Sequence, residues 1–308
     1  MNFTPIFKLL ANNKDVTSHI TKNLISLQFK DEAGEKSDEI TLSVYGDFKR
    51  PSYKDILKLY LGYKESGLFF CGSFYVQTTE RAGEILTITA TGADFSSGLK
   101  VKKNRTFEKM SLKEVVEKIA KEHNLESRCD YEDVFYSYLP QHNESDTNLL
   151  SRLASSFGAF FNIKNNEIIF LKKGDSEKLP QVSIDAKECS SLRIKYSNKT
   201  QYLSAKALWQ DSKENKVKEV IVGSGDPQLI LQQSFLSASE ATLKAEAKLK
   251  AANAGIVSGS LEIYGSKIYA GGKLKLWNTK EEDGEYNIKS ISHSFSSSGW
   301  RTSVEFEN

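Results

Sequence analysis

T-F-E-K-M-S-L-K-E-V-V-E-K-I-A-K-E-H-N-L, residues 106–125, is where the hydrophobic rhythm of this chain changes. Ser111 followed by Glu114 has the spacing of a capping box, in which hydroxyl and carboxylate each satisfy a free backbone N–H at a helix start. Leu112, Val115, Val116 and Ile119 then recur at helical spacing, and Asn124 is a suitable stop. A second helix is predicted to open at Ser145 or Asp146, to carry Leu149, Leu150 and Leu153, and to close at Gly158. F-F-N-I-K-N-N-E-I-I-F-L, residues 160–171, reads as a hairpin turning at Asn165 and Asn166, because asparagine tolerates positive φ.

Outward from this stretch the period is two. On the N-terminal side Ile25, Leu27 and Phe29 alternate with polar neighbours, as do Ile40, Leu42 and Val44, then Leu57, Leu59 and Leu61. An apolar run from Leu68 to Val76 and a strand with Leu86, Ile88 and Ala90 follow, with Gly34, Gly67 and Gly83 as turn candidates. Several short strands at this spacing argue for a barrel or a sandwich. On the C-terminal side strands return at Leu192–Tyr196, Leu203–Trp209, Val217–Val222, Val257–Tyr264, Lys273–Trp277, Tyr286–Phe295 and Thr302–Phe306. One alanine- and lysine-rich helix interrupts them, opening at a second Ser-x-x-Glu box, Ser237 to Glu240, and ending before Gly255. The expected organisation is mainly β with an α+β insertion. A first β-barrel domain occupies residues 1–104, a small α/β insertion 105–174, and a second β-barrel domain with one helix 175–308.

With 308 residues, the chain is long enough for two or three such cores. A net charge of +2 gives no electrostatic case for specific nucleic-acid or membrane binding. No uncharged apolar stretch is long enough to span a bilayer, and the N-terminus lacks the pattern of a cleaved signal. Cys71, Cys129 and Cys189 are odd in number and widely spaced, neither a disulfide framework nor a zinc cluster, which fits a reducing cytoplasm.

Catalytic, cofactor and metal sites are all expected to be absent. The four histidines show no metal-ligand spacing, and there is no nucleophile elbow or phosphate-binding loop. Glu144 and Asp146 are the one carboxylate pair worth weighing for glycoside hydrolysis, which needs a raised-pKa acid beside a second carboxylate. Capping of the second helix by Ser145 or Asp146 is the simpler reading. The lysine-rich runs 100–105 and 244–250 read as solvated faces rather than DNA grips.

Four passages together resemble the phage late control gene D family of tail baseplate hub proteins, related to the N-terminal hub part of VgrG. They are L-F-F-C-G-S-F-Y-V-Q (68–77) with L-T-I-T-A-T-G-A-D-F (86–95), M-S-L-K-E-V-V-E-K-I-A-K-E-H-N-L (110–125), Q-H-N-E-S-D-T-N-L-L-S-R-L-A-S-S-F-G-A-F-F (141–161), and Y-N-I-K-S-I-S-H-S-F-S-S-S-G-W-R-T-S-V-E-F (286–306). The third is the most specific. It is similar to a Q-x-x-E-S-D…L-x-R-L-A…G signature on Gln141, Glu144, Ser145, Asp146, Leu150, Arg152, Leu153, Ala154 and Gly158. The fourth resembles the family's closing hairpin, with Tyr286, His293, Gly299 and Thr302 on its recurrent positions. Ala270, where the family often has proline, is a departure.

The resemblance implies two tail-tube-like β-barrels flanking the small α/β domain, and a homotrimer whose six barrels form a pseudo-sixfold ring. The implied partners are a tail tube or tube-initiator protein, a separate spike protein and baseplate wedge proteins. The spike is expected to be a separate chain because the sequence stops just after the closing strand. The implied location is the virion tail baseplate, or an injection particle, assembled in the bacterial cytoplasm. His293 reads as a satisfied sheet histidine, and Arg152 as an electrostatic anchor for its helix. The competing readings are a tail-associated cell-wall hydrolase and a receptor- or carbohydrate-binding tail protein using Tyr131, Phe135, Tyr136 and Tyr138 as a platform.

Overall fold

The computed structural model describes residues 3–34, 36–93, 98–172, 180–211 and 214–308. The expected junction at 174–175 lies outside the described residues, as do Asp94 and Phe95 of the first family-like passage. The first β-module comprises β1 (Pro5–Ala11), β2 (Lys14–Asp15), β3 (Leu24–Glu32), β4 (Glu39–Tyr45), β5 (Ile56–Tyr63), β6 (Gly67–Ala82) and β7 (Ile85–Thr91), with a short helix α1 (Thr17–Thr21). The insertion follows as β8 (Lys102–Ser111), α2 (Leu112–Glu122), β9 (Glu126–Cys129), β10 (Phe135–Ser145), α3 (Asp146–Phe157), β11 (Ala159–Lys164) and β12 (Glu167–Lys172). The second β-module takes β13 (Gln181–Asp185) and β14 (Ser191–Tyr196). After an excursion through β15 (Ser204–Asp211), β16 (Lys216–Gly223), β17 (Gln228–Phe235) and α4 (Ala238–Asn253), it resumes with β18 (Val257–Tyr264), β19 (Lys273–Trp277), β20 (Gly284–Ser296) and β21 (Gly299–Glu307).

The two β-modules share one 13-stranded sheet, with the order β14-β18-β21-β20-β3-β4-β7-β6-β5-β1-β2, and with β13-β19 joined to β20. That sheet is curled. From β20 to β1 is six strand-to-strand steps, which in a flat sheet would span roughly 29 Å. Yet the rings of Phe7 on β1 and Phe295 on β20 have centroids 5.1 Å apart. The sheet therefore wraps round a barrel-like core of Leu9, Leu27, Ile40, Leu42, Leu59 and Leu86. Tyr63 Oη donates to the Gly265 carbonyl at 2.9 Å across the gap. The second module curls likewise, since Ile184 of β13 and Leu261, Leu274 and Phe306 meet in one core.

The closing hairpin β20–β21 serves both cores. Tyr286, Ile288, Ile291, Val304 and Phe306 fill the second core, while Phe295 and Trp300 pack with the first. A bulge between Ile288 and Ser290 resets the alternation, so that Ile288 and Ile291 both face inward although three positions apart. Gly265 makes room beside Trp300: a Cβ there would lie 1.9 Å from the indole Cδ2.

In the insertion, β8 pairs antiparallel with β10, and β11–β12 with β9 form a second small sheet. Leu112, Val115, Val116 and Ile119 of α2 and Leu149, Leu150 and Leu153 of α3 are buried against them. The α2 cap and the β11–β12 turn both form as the sequence predicts. Ser111 and Glu114 make the reciprocal box, and Asn165 and Asn166 adopt φ +50° and +67° at the hairpin turn. The remaining sheet, β16-β15-β17, is separate from the second barrel. It builds its own core from Ala205, Ala207, Phe235, Ala241 and Ala245, with α4 on one face.

Candidate functional site

The signature residues converge where α3 begins. Ser145 is the N-cap, its hydroxyl accepting from Asn148 N at 3.2 Å. Asp146, the first helical residue, is completely buried. Its Oδ1 accepts from Arg105 Nη2 at 2.7 Å and Gln141 Nε2 at 2.8 Å. Its Oδ2 accepts from Lys103 Nζ at 2.6 Å and from the imidazole Nε2 of His123 at 2.7 Å. Gln141 is a bridge, since its Oε1 also accepts from Arg105 Nε at 2.6 Å. Glu122, in the last turn of α2, receives both oxygens' bonds from Arg105 Nη1 at 2.6 and 2.7 Å, and one from Lys103 at 3.1 Å.

Burial alone would raise the Asp146 pKa, but the bonds from His123, Lys103 and Gln141 and the Arg105 charge outweigh it and hold the carboxyl below its ordinary value. The same balance, burial opposed by Arg105 and Lys103, holds Glu122 low. Two carboxylates and two cations thus form a self-neutralised knot tying β8, α2, β10 and α3 together. Glu122, His123 and Asp146 have ligand atoms within 4.8 Å of one another, close enough for a cation. Lys103 and Arg105 already occupy those carboxylate oxygens, so the chemistry of the set is ion pairing. A further cation would meet two fixed positive charges.

Glu144 stands apart from the knot. Arg152, one turn and a half along α3, clamps both its oxygens at 2.9 Å and donates to the Pro140 carbonyl at 3.3 Å. Gly158 ends α3 in the left-handed conformation at φ +59°, and a Cβ there would come 3.1 Å from the Ala247 Cβ of α4. Gly158→Ala is expected to cost about 1–2 kcal/mol from the backbone alone, with extra loosening of the α3–α4 contact. A thermal-melt comparison with Gly158→Asn, which tolerates αL better, checks this.

His293 and Gly299 lie far along the chain, on the closing hairpin. His293 is buried and stacks on Phe29 with centroids 5.5 Å apart. Its Nδ1 accepts from Trp300 Nε1 at 3.3 Å and lies 3.0 Å from the Thr302 hydroxyl. Burial pushes its pKa down to about 4, so it is neutral at physiological pH. Gly299 turns the hairpin at φ +104°.

Sequence reasoning passed over Lys103, Arg105, Glu122 and His123. Lys103 and Arg105 sit two apart on β8 and so share a face. That face turns to the buried Asp146, which composition of the lysine-rich run could not reveal. In the other run, the Lys244 ammonium lies 5.1 Å from the Phe157 ring centroid and 5.2 Å from that of Phe235. The aromatic platform divides: Tyr131 and Tyr136 are core, while only Phe135 and Tyr138 are exposed.

The fold is that of phage-type tail proteins. A 43 kDa tail protein of prophage MuSo2 from Shewanella oneidensis superposes with a TM-score of 0.72 at 13% identity, covering 98% of each chain. A tail protein from Neisseria meningitidis gives 0.70 at 8% identity over 99% of this chain and 97% of the other. A component of the Escherichia coli type VI secretion system gives 0.60 at 10% identity over 92% and 73%. The family defined as phage tail baseplate hub (GPD) matches residues 72–299, and the chain belongs to it. The probable baseplate hub protein of Escherichia phage P2 is 23% identical over 360 aligned positions, 99% of this chain and 93% of that one. Its counterpart in Escherichia phage 186 is 28% identical over 227 residues, 70% of this chain and 58% of the phage 186 protein.

Proposed function

We propose that this hub protein forms a homotrimeric ring that joins the tail tube, or a tube-initiator protein, to a separate spike, with baseplate wedge proteins around it. The carrying observation is the pair of barrel-like modules fused through the β20–β21 hairpin. Three copies present six such modules, and so offer a sixfold tube and a threefold spike each a matching surface. The division into residues 1–104, 105–174 and 175–308 fits this role, with the insertion as a bracket outside the barrels. Assembly takes place in the bacterial cytoplasm and the ring ends in the virion tail baseplate or an injection particle.

The role is structural rather than enzymatic. A glycosidase acid needs a raised pKa, whereas Asp146 is held below its ordinary value and both oxygens of Glu144 are occupied by Arg152. Purified protein should leave cell-wall turbidity unchanged; lysis abolished by Glu144→Gln would reverse the assignment. Native mass spectrometry with the spike should find a threefold species whose subunit contacts each bury on the order of 2,000 Å². A one-to-one complex that never becomes threefold at any concentration would exclude the ring.

A further inference from the structure

All three modules meet at one buried charge group unrelated to the α3 knot. Asp31 of β3 and Asp38, just before β4, are 4% and 5% exposed. Lys164, at the end of β11, is ion-paired to Asp31 and lies 3.1 Å from Asp38 Oδ2. Asp31 Oδ2 also accepts from Ala270 N of the second module at 2.8 Å, and Asp38 Oδ1 accepts from Glu32 N at 3.0 Å. Neutral bonds complete the docking of the β11–β12 hairpin. Asn162 Nδ2 donates to the carbonyls of Glu32 and Lys36 at 2.9 and 3.2 Å, and Asn165 Oδ1 accepts from Ser73 N at 3.1 Å.

The group has two carboxylates for one ammonium. Fully ionised, it carries an uncompensated negative charge in the place where the insertion is pressed against the barrels. Among the described residues, no second cation is paired with either carboxylate. Glu32 is turned to Lys30, 2.7 Å away. From β20 the neighbouring titratable group is His293, and from β6 it is Cys71; burial keeps the first neutral above about pH 4 and pushes the second up, so that it stays a thiol. Undocking would hydrate both carboxylates and remove the reason to keep a proton.

We propose that this seam is a proton-controlled latch: Asp38, buried beside Asp31 with one ammonium between them, holds a proton while β11–β12 is docked and releases it to solvent when the hairpin lifts. Burial, opposed by Lys164 and reinforced by Asp31, pushes the Asp38 pKa up to about 7. The sign follows from linkage. An acid whose pKa is raised in the docked state loses docking stability as pH rises from its free value, about 3.8, to about 7, and changes no further above that. His293, depressed from 6.5 to about 4, acts oppositely, losing stability as pH falls across nearly the same window. The two slopes offset each other in global unfolding. The latch is therefore read locally.

Hydrogen exchange of residues 159–172, corrected for the intrinsic pH dependence of exchange, should show the opening equilibrium increasing at least about tenfold from pH 4.5 to 7.5, the change that one unit of differential proton affinity produces. The β15–β17 sheet serves as the internal control and should not follow. Asp38→Asn, nearly isosteric, should abolish the rise and leave at most the opposite slope of His293. Lys164→Met removes the cation that opposes the raised carboxyl pKa in the docked state, so the rise should persist and extend to higher pH. A wild-type seam whose opening does not rise with pH, or a rise that survives Asp38→Asn, or one that vanishes in Lys164→Met, overturns the latch.

Discussion

Asp146→Ala is expected to destabilise the protein by about 3–5 kcal/mol, the cost of removing one partner from a buried ion-pair cluster. The substitution strips Lys103, Arg105, Gln141 and His123 of a shared acceptor at a fully buried position. Arg105 would keep Glu122, but Lys103 would retain only the longer 3.1 Å contact. The measurement is the urea midpoint at unchanged m-value. Glu144→Ala is the contrasting variant: its partner Arg152 is half exposed, so the loss should be about 1 kcal/mol or less. If the two variants cost the same, the knot is not what holds α3. A second check is pH. Because the Asp146 pKa is depressed, its contribution is present above the ordinary carboxylate value and fades as pH falls through the lowered one. Wild type should therefore lose stability toward acid more steeply than Asp146→Ala.

The largest apolar effect is expected at Trp300. Trp300→Ala should cost about 3–5 kcal/mol, as large-to-small changes of buried aromatics do. The indole packs 5.1 Å from Tyr63, 6.0 Å from Phe69 and 5.7 Å from His293, measured between centroids, and its N–H is a donor to His293. It also fills the space left by Gly265, so truncation opens a void between the first module and the hairpin that both modules share. Calorimetry should show both β-modules melting earlier and together. Phe306→Ala, confined to the second core, should be comparably destabilising without exposing Tyr63. Tyrosine fluorescence or ultraviolet difference spectra distinguish the two. A Trp300→Ala loss below about 1 kcal/mol would mean the site collapses around the cavity, and that the hairpin does not couple the modules.

Much of this architecture was legible locally. Ser111–Glu114, Ser145, Ser237 and Gly158 announce helix ends by chemistry that acts within one turn, and period-two runs such as Ile40–Leu42–Val44 announce a strand with one buried face. Seven strands escape such reading: β1, β2, β8, β9, β10, β13 and β17. β8 hides its pairing behind a lysine-rich start, and β17, Q-L-I-L-Q-Q-S-F, lacks strict alternation. Helix α4 was found, but its alanines give it no strong apolar face, so the sequence could not say that the β15–β17 sheet covers one side and α3 approaches the other.

What the sequence determined by itself is therefore most of the strands, the three long helices, the helical insertion between two β-rich portions, and a motif whose resemblance points to tail hubs. Only the tertiary structure decided that the two β-modules are one curled sheet, that one bulged hairpin feeds both cores, and that Lys103, Arg105 and His123 gather on Asp146 while Glu122 shares the two cations. The reason is range. Caps, turns and periodicity are set by neighbours a few residues apart. A buried charge instead selects its partners by desolvation, at whatever sequence distance the fold brings them within hydrogen-bond reach. Asp146 and Lys103 are 43 residues apart, and Asp31 and Lys164 are 133 apart. No local pattern in either segment records the other.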